Sequence, residues 1–227
     1  MEYAGTFFER FYKPQNVSIV ITGDIDPQET LKWVKQYWGE WQKGHYLADI
    51  KQEPKQTAAK YQHVKFDGMP GHWIMQGFHG PAFDARKKDK PAVDLLAELY
   101  FSKTSDIYQK LVVDSQKASE FFTYLPDRKD AHMLYIAAKV DNVEDIPFVR
   151  EEIAKARSTA AGEQKLSKLK SNLKYSFINS LDSSAAIGST LARFVHFERD
   201  PQTINQLYRI TDKITPKEAL TISRNLG

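Results

Sequence analysis

An α+β fold, with a sheet covered by helices, is predicted by three features of the sequence. Between residues 61 and 140, short β-patterned runs alternate with helical patterns. From Gly162 onward every apolar spacing is helical. Ahead of both, residues 7–41 read as the end of a helix, a loop, a buried strand and an amphipathic helix. Strands that alternate with helices and then give way to them suit a sheet with helices packed on one face.

Val17, Ile19, Val20 and Ile21 form an apolar run typical of a strand covered on both faces, and Gly23 ends it. Asp26 can cap the next helix, Pro27 suits its first position, and Glu29 stands where a capping box puts its carboxylate. Leu31, Val34, Trp38 and Trp41 follow at helical spacing and mark the face expected to pack down. Residues 42–60 lose that period and gain Lys, Gln and one Pro, which predicts a surface linker.

Strands are expected at 61–68, where Val64 and Phe66 alternate with polar neighbours, and at 72–80, with Gly68-Met69-Pro70-Gly71 as the turn between them. A helix with Pro91 near its start follows, lined by Ala92, Leu95, Leu96 and Leu99. A second, over 104–115, carries Ile107, Tyr108, Leu111 and Val112. Strands at 118–125 and 131–140 are joined by a turn from Pro126 to Asp130, and a helix beginning near Asn142 and Asp145 runs through Arg157. Later helices carry Leu166, Leu169, Leu173 and Phe177, then Ile187, Leu191 and Phe194. Asp200-Pro201 and Thr215-Pro216-Lys217-Glu218 each read as a helix start.

The composition narrows the function classes. The apolar fraction is 41%, with four Trp, eleven Tyr and thirteen Phe, enough for a real core. The 32 Lys and Arg against 29 Asp and Glu leave a net charge of +3 with dispersed positive residues, which argues against a nucleic-acid surface. The absence of Cys excludes disulfides and thiolate chemistry but does not settle the compartment. No apolar run is long enough to span a bilayer.

One family accounts for the early stretch. Tyr12-x-Pro14-x-Asn16, then VSIVITGD over 17–24, Asp26-Pro27-x-Glu29 and WGEW over 38–41 together resemble the insulinase-like (pitrilysin-type, M16) zinc metallopeptidases. The resemblance spans nearly the whole chain, strong over 11–41 and looser afterwards. It implies a two-layer α+β sandwich with a mostly antiparallel sheet, the metallohydrolase fold of LuxS and the mitochondrial processing peptidase. It implies domain limits of 1–45 for the helix–strand–helix closing the first of two related halves, 46–60 for a linker, and 61–227 for the second half. A weak repeat lays Ala219–Leu226 over Ala4–Phe11, so the chain is expected to start and stop at equivalent phases of the two halves. Residues 17–41 are then expected to pack with 61–227 as one compact unit, in cis or swapped between two chains.

The resemblance also implies chemistry that this chain lacks. The family binds zinc through an H-x-x-E-H helix, with a later Glu completing the ligands. The six His, at 45, 63, 72, 79, 132 and 196, belong to no such motif. His72 and His79 stand seven apart on one expected strand and point to opposite faces. His196 and Glu198 stand two apart on an expected helix and do not face each other. The family's Arg and Tyr in the second half would fall at Val113 and about Ser119. Asp67 with Asp84, or Glu151 with Glu152, read as solvated charges rather than acid–base pairs. Gly23-Asp24 lacks a phosphate-loop pattern, no G-x-S-x-G occurs, and Trp38, Trp41, Phe121 and Phe122 read as core.

No residue is therefore expected to be catalytic or to bind metal, and no substrate-binding residue can be assigned. The chain alone should be inactive and free of cofactor, with zinc in the parent protein. The partners the resemblance implies are a peptide or unfolded protein substrate, the other half of the protein, and a partner subunit or a second copy. In this reading the chain forms part of a chamber that encloses peptide, and the parent hydrolyses peptide bonds with zinc-activated water. The alternative is a non-catalytic partner or structural core subunit of the same fold.

Overall fold

The computed structural model describes residues 2–51, 54, 56–68 and 70–225. The chain divides into two compact units, one of Met1–Thr57 with Ile178–Pro201, the other of Ala58–Phe177 with Gln202–Gly227.

The larger unit is built on a three-stranded antiparallel sheet. Its strands are β1 (His72–Gly80), β2 (Glu120–Tyr124) and β3 (His132–Val140), in the order β1-β3-β2. Ile74 lies opposite Ala138, and Phe121 lies opposite the same residue from the other side. Strand alternation therefore sends Ile74, Phe121, Ile136, Ala138 and Val140 to one face. There they meet Phe101 of α3 (Asp89–Phe101), Leu111 of the next helical segment, and Val149 and Ile153 of α5 (Ile146–Ser158). A second cluster joins Ala92, Leu95 and Leu96 of α3 to Leu166 of α6 (Glu163–Asn179) and to Ile214 and Ala219 at α9 (Pro216–Arg224). The α+β expectation holds, with helices on one face of a small antiparallel sheet.

Local signals explain the helix ends. Thr215 and Glu218 close a reciprocal capping box at α9. Glu218 also accepts from Lys88 at 2.6 Å, and this bond, with those from Thr215, holds its carboxyl down at about 2. The segment after Ser105 starts as one α-turn, α4 (Asp106–Tyr108), and widens into a π-helical stretch over Gln109–Asp114. The widening ends where Gln116 takes φ 50° and the Ala118 N–H reaches the Leu111 carbonyl at 3.0 Å. The helix expected over 104–115 is thus present in altered form. α8 (Thr203–Asp212) begins after Asp200-Pro201, which stays outside it as a turn.

The smaller unit holds α1 (Glu2–Phe11), α2 (Pro27–Trp38) and α7 (Ser184–Glu198). Asp26 caps α2 through a 2.7 Å bond from the Glu29 N–H, as expected. Three readings are corrected here and in the larger unit. Residues 17–22 pair in no ladder, and none of them is buried. They are instead strapped within this unit by side chains. Arg199 donates to the Gln15 and Val17 carbonyls at 2.9 and 3.3 Å and to Ser18 Oγ at 2.7 Å; Thr22 donates to the Ser184 carbonyl at 2.7 Å. The three-stranded sheet does not include 17–22. Residues 61–68 form no strand either, with Val64 and Phe66 both 67% exposed. The face of α2 expected to pack down carries no buried residue: Leu31, Trp38 and Trp41 are exposed. The shared reason is that apolar pattern records which side of an element wants cover, while a ladder or core contact needs a partner. Met69 of the expected turn, residues 52, 53 and 55 of the linker, and Leu226 of the repeat lie outside the described residues.

Candidate functional site

The sheet face opposite the helices carries the chemistry most suited to a ligand. Trp73, Met75, Gly77 and His79 of β1 point there, as do Phe122 and Tyr124 of β2 and Met133, Tyr135 and Lys139 of β3. The aromatic rings form a connected set. Trp73 meets Phe122 edge-on at 6.0 Å, Phe122 meets Tyr135 at 6.4 Å, and Tyr135 stacks on Tyr124 at 5.1 Å. Met75 and Met133 flank them, 61% and 65% exposed. Met133 lies across Gly77, where a Cβ would approach its sulfur to 2.6 Å. At one end Lys139 and Glu120 form an ion pair at 3.6 Å that cancels the local charge. Uncharged rings and thioethers on a pleated surface contact apolar side chains with little demand on their identity.

A second feature is a groove of about 180 Å³ between α3, α4, the π-helical stretch and α5. Lys110, Glu152 and Lys155 line it. Glu152 takes Lys110 at 2.8 Å and Lys155 at 3.1 Å, and Lys155 also reaches Glu151 at 2.8 Å. The Lys110 bond holds the Glu152 carboxyl below its ordinary range against the opposing effect of burial. Glu151 and then Glu152 push the Lys155 ammonium above its ordinary range. Such shifts move both partners away from neutral pH, the reverse of what an acid–base pair needs. The groove is thus an ion-pair lattice bracing the π-helical stretch against α5.

The residues weighed from the sequence are scattered. His72 and His79 sit at opposite ends of β1 and on opposite faces. His45 and His63 are exposed in irregular segments, and His196 lies on α7 against Phe197. Among the described residues no three His, Asp or Glu side chains converge as a metal site. Asp84 is engaged by Arg86 and Lys87, at 2.9 and 3.8 Å, while Asp67 lies in an exposed turn. Val113 is 51% exposed on the π-helical stretch, and Ser119 donates its N–H to the Lys139 carbonyl at 2.8 Å. Gly23, with Asp24 beside it, takes φ 148° in an exposed bend. Of the two strand aromatics read as core, Phe121 is buried and Phe122 is 39% exposed on the open face. The signal for that face was present as period-two alternation of Trp73 with Met75 and of Phe122 with Tyr124. What was missing was knowledge that helices cover one side only. No described helix is long and apolar enough to cross a membrane.

Comparison with known proteins bears on the family and the fold. Residues 5–173 match the family model described as the peptidase M16 inactive domain. The zinc protease PqqE of Helicobacter pylori is 29% identical over 197 residues, covering 83% of this chain and 44% of that protein. The crystal structure of a protease from Helicobacter pylori superposes with a TM-score of 0.86 at 23% identity, over 100% of this chain and 56% of the other. A peptidase M16 inactive domain from Pseudomonas fluorescens gives 0.69 at 16% identity, over 90% and 49%. The chain thus spans less than half of the curated relative it matches.

Proposed function

Since the chain belongs to the peptidase M16 inactive domain family, we propose that it is the non-catalytic half of a zinc-dependent peptidase and forms one wall of the space that holds the peptide. The family match over residues 5–173 carries this reading. The described residues offer no ligand set that fits zinc. The metal and the hydrolytic step are therefore assigned to another half of the same protein or to a partner subunit. This chain contributes surface, and the open sheet face with Trp73, Phe122, Tyr124 and Tyr135 is the part suited to an extended, apolar polypeptide.

A second surface supports the pairing of halves. Phe7 and Phe8 of α1, Ile19 and Ile21 of the segment 17–22, and Trp33 and Trp38 of α2 are each between 44% and 58% exposed. Large apolar side chains left uncovered within one unit are what a surface that meets another protein would present. In this reading they dock on the zinc-bearing half.

The test is reconstitution. The chain alone, the zinc-bearing half alone and their mixture are assayed for zinc content and for cleavage of an unstructured peptide. The expected result is zinc only with the other half, and cleavage that rises when the two are mixed. Zinc bound stoichiometrically by this chain, or a mixture no more active than the zinc-bearing half, would overturn the reading. Failure of any zinc-bearing half to bind the chain would favour a structural subunit instead.

A further inference from the structure

The turn between β2 and β3 is fastened to the start of α3 by charges gathered around the buried Lys90. Lys90, 3% exposed, reaches Asp127 of the turn at 2.9 Å and Asp94 of its own helix at 2.5 Å. The Arg128 carbonyl of the turn accepts from the Phe83 N–H at 2.7 Å. His132 opens β3 beside this cluster. It shares the helix-covered face with Leu134 and Ile136, and it stands opposite Gly80 of β1. Both ring nitrogens are buried without a well-formed hydrogen bond. Neither the wall surface nor the docking surface makes use of this ring.

We propose that His132 is an acid-sensitive latch: uncharged, it fits beneath α3 and lets the Lys90–Asp127 pair hold the turn; charged, it drives the turn off α3. The neighbouring groups set the direction. Lys90 on α3 and Arg128 on the turn repel an imidazolium. Asp127 and the Asp130 backbone attract one, but Asp127 is engaged by Lys90, as is Asp94. Lys88, one residue before α3, is turned to Glu218. His79 precedes Gly80 on β1 and points to the opposite face. Burial, the largest influence, pushes the His132 ring below its ordinary value; the Asp130 backbone and Asp127 pull it back in part, while Lys90 and Arg128 push it further. The folded state therefore binds fewer protons here than the unfolded chain. The contribution of the neutral ring is complete above the ordinary histidine value of about 6.5 and is lost as pH falls below it.

The test is hydrogen exchange of the whole chain on either side of that value, corrected for intrinsic exchange, in the natural protein and in His132→Phe. Protection over 125–132 is expected to fall severalfold on acidification, more than in α5 or α6, and His132→Phe is expected to abolish that difference. Where the variant fails to fold, the ring resonances of His132 in the natural protein decide. Titration at or above the ordinary value, or protection over 125–132 that ignores pH, overturns the latch.

Discussion

Phe121 and Phe122 are neighbours in sequence and chemically identical, so truncating each to Ala isolates what the fold does with them. Phe121 is 3% exposed, sits 6.2 Å from the Phe101 ring, and faces Ala138 across the ladder. Core Phe→Ala changes cost about 3–5 kcal/mol, with the larger values where the site cannot collapse. Here Ala118 and Ala138 nearby are too small to refill the space, which places Phe121→Ala in the upper part of that range. Phe122 is 39% exposed and loses chiefly its edge contacts with Trp73 and Tyr135. Aromatic pairs of this kind contribute about 0.5–1.5 kcal/mol, so Phe122→Ala should cost about 1 kcal/mol. Urea unfolding of both variants, read as midpoint and slope, measures the difference. A total stability of about 5–15 kcal/mol leaves Phe121→Ala marginal and Phe122→Ala comfortably folded. Equal losses, or a larger loss at Phe122, would refute the assignment of faces. Under the proposed function the order inverts for ligand: Phe122→Ala should weaken binding of an apolar extended peptide while leaving the fold intact.

The remaining predictions concern the cluster and the turns. Asp127→Asn removes a buried partner of Lys90 and should cost about 3 kcal/mol, the low end for a broken buried pair because Asp94 still reaches the ammonium; thermal unfolding checks it. Gly71 holds φ 83° with the Lys139 side chain at 3.0 Å from a built Cβ, so Gly71→Ala should lose on the order of 1–3 kcal/mol in the same assay. The Glu218 carboxyl, held at about 2 chiefly by Lys88, favours folding above the ordinary carboxylate range; that contribution is expected to fade as pH drops toward 2, and Glu218→Gln should flatten this limb of the stability profile.

The α3 and α9 predictions worked because their signals are local. Ala92, Leu95, Leu96 and Leu99 lie on one helical face, and all are buried. Thr215 and Glu218 needed only each other to form their cap. Residues 61–68 and Trp38 show the opposite case. Their patterns are apolar, but a pattern does not supply the element that would cover it, and both remain exposed. The candidate site lay between these cases: its aromatic residues were legible as strand residues, but not as an open face.

The sequence by itself determined the family, the helices α3, α5, α6 and α7, the Asp26 and Thr215 caps and the lack of a zinc-helix motif, because each depends on residues close together in the chain. Only the tertiary structure decided that Phe121 and Phe122 part company, that residues 17–22 are strapped by Arg199 and Ser184 rather than paired, and that the His132 ring nitrogens are buried without a well-formed hydrogen bond. Those outcomes depend on which distant element arrives at a given face, and a one-dimensional pattern of polarity does not carry that choice.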